Sequence, residues 1–181
     1  MTYIERLLES FTKVLNEPWQ ATLSGQERIW FLVYDPVEQR KVDFNMTEFE
    51  TVSIRSGKKW NKVSLKRCFP TWLSKHEYRD DYFSYPKYIV DQLDADFMPF
   101  ATQFLKSELA KIESEHNTIT AIYDVSSIYG FARLSDLLKS CDQNFKGRLL
   151  IFFPGEFDQN HYRLLNARDG WDYLARPITV Q

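Results

Sequence analysis

Glycine is scarce in this chain, with only six in 181 residues, and the scarcity excludes several chemistries at once. No G-x-x-x-x-G-K-[ST] stretch exists, and Gly57-Lys58-Lys59 has no glycine five residues upstream, so no loop of that type cradles a nucleotide's phosphates. No G-x-G-x-x-G follows a strand, and there is no H-E-x-x-H and no G-x-S-x-G. Cysteine is equally sparse. Cys68 and Cys141 are far apart, neither belongs to a C-x-x-C pair, and both read as single thiols, buried or partly exposed, in a reducing compartment. His76, His116 and His161 stand apart in polar surroundings and read as exposed side chains, and the two thiols and three imidazoles show no zinc-ligand spacing. No apolar run approaches the ~18 residues of a spanning helix. Residues 1–15 are apolar on one face only and do not read as a secretory signal, so the expected location is the cytoplasm, without membrane contact. The net charge of -2 predicts no general attraction to nucleic acid or anionic lipid.

What is present is enough to fold. Hydrophobic residues make up 44% and aromatics 16%, which argues against disorder. A chain of this length buries roughly 70% of its unfolded surface without needing a disulfide or a metal. No linker-like segment divides it, so a single domain over residues 1–181 is expected.

The pattern predicts an α/β fold. Ile4, Leu7, Leu8, Phe11 and Val14 share a helical face, and Thr2 with Glu5 has the spacing of a capping box. Residues 29–34 form an unbroken apolar, β-rich run, as in a strand buried on both faces of a mainly parallel sheet. Asp35-Pro36-Val37-Glu38 then spells a helix start, with Phe44, Phe49 and Val52 marking its face to about Thr51. Residues 62–65 suggest a short strand, and 69–86 a mixture of short helices and loops. Phe97, Phe100, Ala101, Phe104, Leu105, Leu109 and Ile112 trace a further helix with Pro99 in its first turn. Residues 119–125, the face Phe131, Leu134, Leu138 and Cys141, and residues 148–153 make a β-α-β unit with parallel strands. The Pro154-Gly155 pair reads as a turn ending the last of these strands or as a ligand-facing loop. The tail predicts a hairpin or edge strands around Asp169-Gly170.

Three groups of residues are candidates for function. Tyr34-Asp35 and Tyr123-Asp124 both end strands, so parallel strands put the two aspartates at the carboxyl edge of the sheet, where α/β folds bind ligands. With Glu156 they form a weak candidate for a nucleotide- or Mg²⁺-binding enzyme site. The competing reading makes Asp35 a helix cap and Asp124 a cap on the turn through Ser126 and Ser127. Arg55, Lys58, Lys59, Lys62, Lys66 and Arg67 place six cations in thirteen residues around Trp60, which suits a solvated surface, an acidic partner or a nucleic acid with a base stacked on the indole. The aromatics from Trp72 to Tyr88 read as core or as a protein-docking surface. Trp72, Tyr78 and Tyr82 are the candidate anchors, with Arg133, Arg163, Arg168 and Arg176 as rim contacts.

Several blocks also carry a family likeness: residues 120–126 (TAIYDVS), 131–138 (FARLSDLL), 149–156 (LLIFFPGE), 162–165 (YRLL) and 168–178 (RDGWDYLARPI), with 31–36 (FLVYDP) in the right order upstream. In these the chain resembles the BrxB family of BREX (bacteriophage exclusion) phage-defence systems, while residues 40–115 add little. The resemblance implies a small α/β protein whose core is similar to nucleoside-triphosphatase folds without a phosphate-binding loop. It also implies a part in phage restriction, and because the residues show no catalytic motif the expected part is non-catalytic and without a cofactor. Its partner would be an alkaline-phosphatase-like PglZ subunit, in a wider assembly with methyltransferase and ATPase subunits. No catalytic residues are carried over.

Overall fold

The structure, a computed structural model, describes residues 1–167 and 171–181, with the backbone alone at 171 and 172. The first helix, α1 (Tyr3–Leu15), begins as its sequence predicts. Thr2 Oγ1 accepts from the Glu5 amide, and the Thr2 amide donates to the Glu5 carboxylate at 2.7 Å. The Thr2 backbone N–H holds the Glu5 carboxyl below its usual range. That arm is therefore fully present above the ordinary glutamate value and is lost as pH falls through the lowered one. Thr2→Ala removes one of the two bonds and is expected to cost about 1 kcal/mol, read as a lower urea midpoint with an unchanged slope.

Strand β1 (Ile29–Tyr34) is buried along its whole length. After it, Asp35 caps a 3-10 turn, its carboxylate accepting from the Val37 amide at 3.0 Å, with Pro36 at the first position. The helix expected to continue to about Thr51 is instead two, α2 (Gln39–Phe44) and α3 (Met46–Arg55). Asn45 makes the break: its side-chain amide donates to the Lys41 carbonyl and competes with the helical ladder. The kink turns Phe44, expected on the core face, out into solvent at 87% exposure. Strand β2 (Lys59–Ser64) starts three residues earlier than its apolar pattern indicates.

Helices α4 (Cys68–Lys75), α5 (Arg79–Ser84) and α6 (Val90–Gln92) fill the aromatic region, with a 3-10 turn at Pro86–Ile89 before α6. One π turn, Leu93–Phe97, leads into α7 (Met98–Ala110) with Pro99 in its first turn. Strand β3 (Thr118–Tyr123), helix α8 (Leu134–Ser140) and strand β4 (Arg148–Asp158) form the expected β-α-β unit, β3 and β4 lying side by side and parallel.

Pro154-Gly155 does not end β4. Up to Pro154 the strand pairs in parallel with β1, and from Gly155 it pairs antiparallel with β5 (His161–Leu164). The dipeptide marks a change of partner, and a Cβ on Gly155 would sit 2.1 Å from the Arg163 carbonyl oxygen. The chain reverses at Gln159 and Asn160, both with positive φ, as a two-residue hairpin demands. Strand β6 (Trp171–Asp172) pairs with β5, and β7 (Arg176–Ile178) returns to the edge beside β1. The tail is thus both hairpin-like and edge strand, while the predicted Asp169-Gly170 turn lies outside the described residues.

The main sheet runs β2-β3-β4-β1-β7, all parallel, between two helical layers. Alternation along each strand assigns the faces. Ile29, Phe31, Val33, Leu149, Ile151 and Phe153 pack with α4, α7 and α8. Trp30, Leu32, Tyr34, Leu150 and Phe152 pack with α1, α2 and α3. Cys68 and Cys141 are both buried and unpaired, and burial pushes the Cys68 thiol up to about 12, which removes its nucleophilic form. Among the described residues no helix is long and apolar enough to cross a membrane.

Candidate functional site: an aromatic face on the helical layer

The two strand-end aspartates do reach the same edge of the sheet, but β4 lies between their strands. Asp35 is engaged as the cap described above. Asp124 sits in the left-handed region at φ 59, and its carboxylate accepts from the Ser64 hydroxyl rather than from the turn that follows. The link to that turn is made by the Asp124 backbone carbonyl, which accepts from Ser127. Asp124 therefore staples β3 to the end of β2, a correction to its expected role as a side-chain cap. Glu156 stands directly across the hairpin from Arg163, 3.5 Å from its guanidinium. Each carboxylate is spoken for locally, and among the described residues no three His, Cys, Asp or Glu side chains are arranged to hold a metal.

The basic run maps onto β2 and its flanks. Strand β2 is one edge strand of the main sheet, and Lys59, Lys62, Lys66, Arg67 and Arg55 are exposed on it and its flanks. Lys59 pairs with Glu115 at 2.7 Å, and the Lys58 ammonium lies 3.9 Å from the centre of the Trp19 ring. Trp60, a stacking surface for a base in the nucleic-acid reading of this run, packs against the α1–α3 face of the core. Lysines on an edge strand discourage pairing with another chain's edge, since that would force ammonium groups together. Lys62→Val is expected to shift the melting temperature by only a few degrees while raising light scattering on heating severalfold.

The rim arginines are committed within the chain. Arg133 pairs with Asp136 at 2.6 Å, and Arg176 makes a two-pronged contact with Glu17, joining β7 to the end of α1, with one arm at 2.8 Å. Arg168 lies outside the described residues.

The aromatic region divides sharply by depth. Trp72 and Tyr82, which the sequence left open as core or docking anchors, are buried. Trp72 packs on Phe69 and Phe97, and Phe69 stacks on Phe131 at 3.8 Å. The π turn brings Asp96 over this cluster. Its carboxylate accepts from Trp72 Nε1 at 3.1 Å and lies 3.2 Å from His76 Nε2. His76 is consequently no solitary surface imidazole: its ring lies 4.9 Å from Trp72 and 5.1 Å from Tyr82. Above this anchored layer lie side chains with no such cover. Phe83 is 72% exposed, Val90 63%, Tyr85 58%, Tyr78 54% and Tyr88 52%. Tyr85 and Tyr88 lie tilted against each other, ring centres 5.7 Å apart, with the Lys87 ammonium 5.4 Å from the Tyr88 ring centre.

Compared with known proteins, the chain matches no family model, no curated protein and no solved structure.

Around the exposed aromatics the charge is one-sided. Residues 77–96 contain six acids (Glu77, Asp80, Asp81, Asp91, Asp94 and Asp96) against Arg79 and Lys87. Of the anchors read from sequence, only Tyr78 faces water. Phe83, Tyr85, Tyr88 and Val90 take the place of Trp72 and Tyr82. The only signal for them was the aromatic density itself, because six-residue and shorter helices give too little period to show which side is covered.

Proposed function

We propose that this chain is a non-catalytic interaction module of a BREX-type phage-defence assembly, and that it docks a larger PglZ-like subunit through residues 78–90. The observation that carries the reading is that Phe83, Tyr85, Tyr88 and Val90, within eight positions of chain, are each more than half exposed. Ordinary surface aromatics occur singly, whereas a cluster at one site marks a contact surface. Tyr and Phe suit such a surface, since each covers much area while losing few rotamers. The acidic surround selects a partner whose own apolar patch is rimmed by lysine and arginine, and it steers the encounter more than it strengthens the complex. The family likeness in residues 120–178 supplies the assembly to search.

The test is co-purification. A tagged chain expressed with its defence-system neighbours is expected to retain the PglZ-like subunit at moderate salt. Recovery of the chain alone, from cells in which that subunit is abundant and soluble, would remove the reading. The alternative of a nucleotide- or metal-binding enzyme at the carboxyl edge has less behind it, because Asp35, Asp124 and Glu156 are each held by a different local partner.

A further inference from the structure

At the opposite, amino-terminal edge of the sheet, a cavity of about 230 Å³ opens between the segment before β1 and the segment before β4. Its floor is unusual. Arg148, the first residue of β4, is only 4% exposed, yet its guanidinium has no carboxylate partner among the described residues. It donates to the backbone carbonyls of Gly147 and Gln20, and its Nε–H has no partner among the described residues. Arg28, immediately before β1, lines the same cavity. It donates to the carbonyls of Phe145 and Gly147, and its guanidinium carbon lies 4.5 Å from the centre of the Phe145 ring. Lys146 and the His116 imidazole also line the cavity. The Trp19 ring on the cavity wall is touched by two cations, Lys58 and Arg148, whose charged centres lie 3.9 and 4.9 Å from its centroid.

Such a set of cations is self-repelling. Burial, and then Arg28, hold Arg148 below the usual arginine value. Burial, and then Arg148, do the same to Lys58. Asp142 favours the charged form of Arg28 but makes no ion pair with it. Neutral carbonyls and aromatic faces offset the cost of a buried guanidinium only in part, and an anion with good hydrogen-bond geometry offsets more of it. We propose that this cavity binds a phosphate group, held by Arg28 and Arg148 at its base with Lys146 at its mouth. Guanidinium forks match tetrahedral oxyanions, and several cations suit a dianion better than a carboxylate. The volume is below the ~300 Å³ at which small-molecule pockets begin. It therefore admits the phosphate and leaves any attached nucleoside outside against the rim. The site is separate from the docking face, which lies on the α4–α7 layer, so either assignment stands without the other.

Calorimetric titration of the full chain with inorganic phosphate, at ionic strength held constant with chloride, tests this. Saturable binding is expected, together with a rise in melting temperature that chloride does not reproduce. Arg28→Gln should weaken it at least ~10-fold, the loss of one charge-assisted contact. Lys146→Gln, an exposed residue whose loss does not disturb the core, should weaken it about threefold with the melting temperature of the ligand-free protein unchanged. A parallel titration with adenosine 5′-monophosphate separates the sources. Tighter binding than inorganic phosphate assigns the group to a nucleotide, equal binding assigns it to free phosphate, and both support the site. No saturable signal with either compound overturns the proposal. So does undiminished affinity in both variants.

Discussion

Replacing Phe31 with alanine is expected to lower the stability of this protein by about 3–5 kcal/mol, enough to move the melting temperature by roughly 6–20 °C in a domain of this size. Phe31 sits in the middle of β1 with no exposure. Its ring stacks on Phe153 at 5.1 Å and on Tyr173 at 5.9 Å, and it meets Tyr162 edge-on at 4.4 Å. These contacts join the parallel sheet to the antiparallel extension of β4, so one truncation loosens both. Tyr162 cannot follow the ring into the space left behind, because its hydroxyl is tied to the Ala175 carbonyl. The surroundings therefore collapse poorly, which is the condition under which such a cavity costs most. Phe44→Ala is the matched control: the same chemical change on an 87% exposed ring is expected to stay within about 0.5 kcal/mol. Urea midpoints of the two variants decide the matter, and a Phe31→Ala midpoint close to wild type would mean that the packing around β1 is wrongly assigned.

Loss of partner binding without loss of fold is the second large effect. The triple variant Phe83→Ala, Tyr85→Ala, Tyr88→Ala is expected to weaken association with the proposed PglZ-like partner at least ~100-fold, since central aromatic anchors each contribute about 2 kcal/mol or more to such interfaces and every 1.4 kcal/mol is tenfold. The same variant should melt within a few degrees of the wild type, because each of the three rings is more than half exposed in the free chain. Trp72→Ala reverses the pattern. It removes a buried ring and strips Asp96 of its indole donor, so it should destabilise by about 3–5 kcal/mol and affect binding only through unfolding. Measuring melting and binding for both variants separates anchor from support. Full affinity in the folded triple variant would move the docking surface elsewhere.

The lysine-rich edge shows why charge runs mislead when read as strings. Six cations in a row of thirteen residues suggest one patch, yet the fold sends Lys58 over Trp19 and Lys59 to Glu115, and leaves the others spread around the edge strand β2. Meanwhile two arginines 120 positions apart, Arg28 and Arg148, converge at one cavity because β1 and β4 are parallel neighbours that start at the same edge.

Helix α1, strand β1 and the β3-α8-β4 unit were legible from the residues alone. Each is governed by forces acting within a few positions: a reciprocal cap, a helical stripe, an apolar run too continuous for anything but a buried strand. The passage of β4 through Pro154-Gly155 and the burial of Trp72 while Phe83 stays exposed were decided elsewhere in the chain. They depend on which strand lies alongside and which helix lies above, and those neighbours are separated from these residues by up to a hundred or more positions. Local spacing sets what each segment can become. Which of its faces meets water, and which distant charges share a cavity, is settled only when the layers close and burial selects one arrangement.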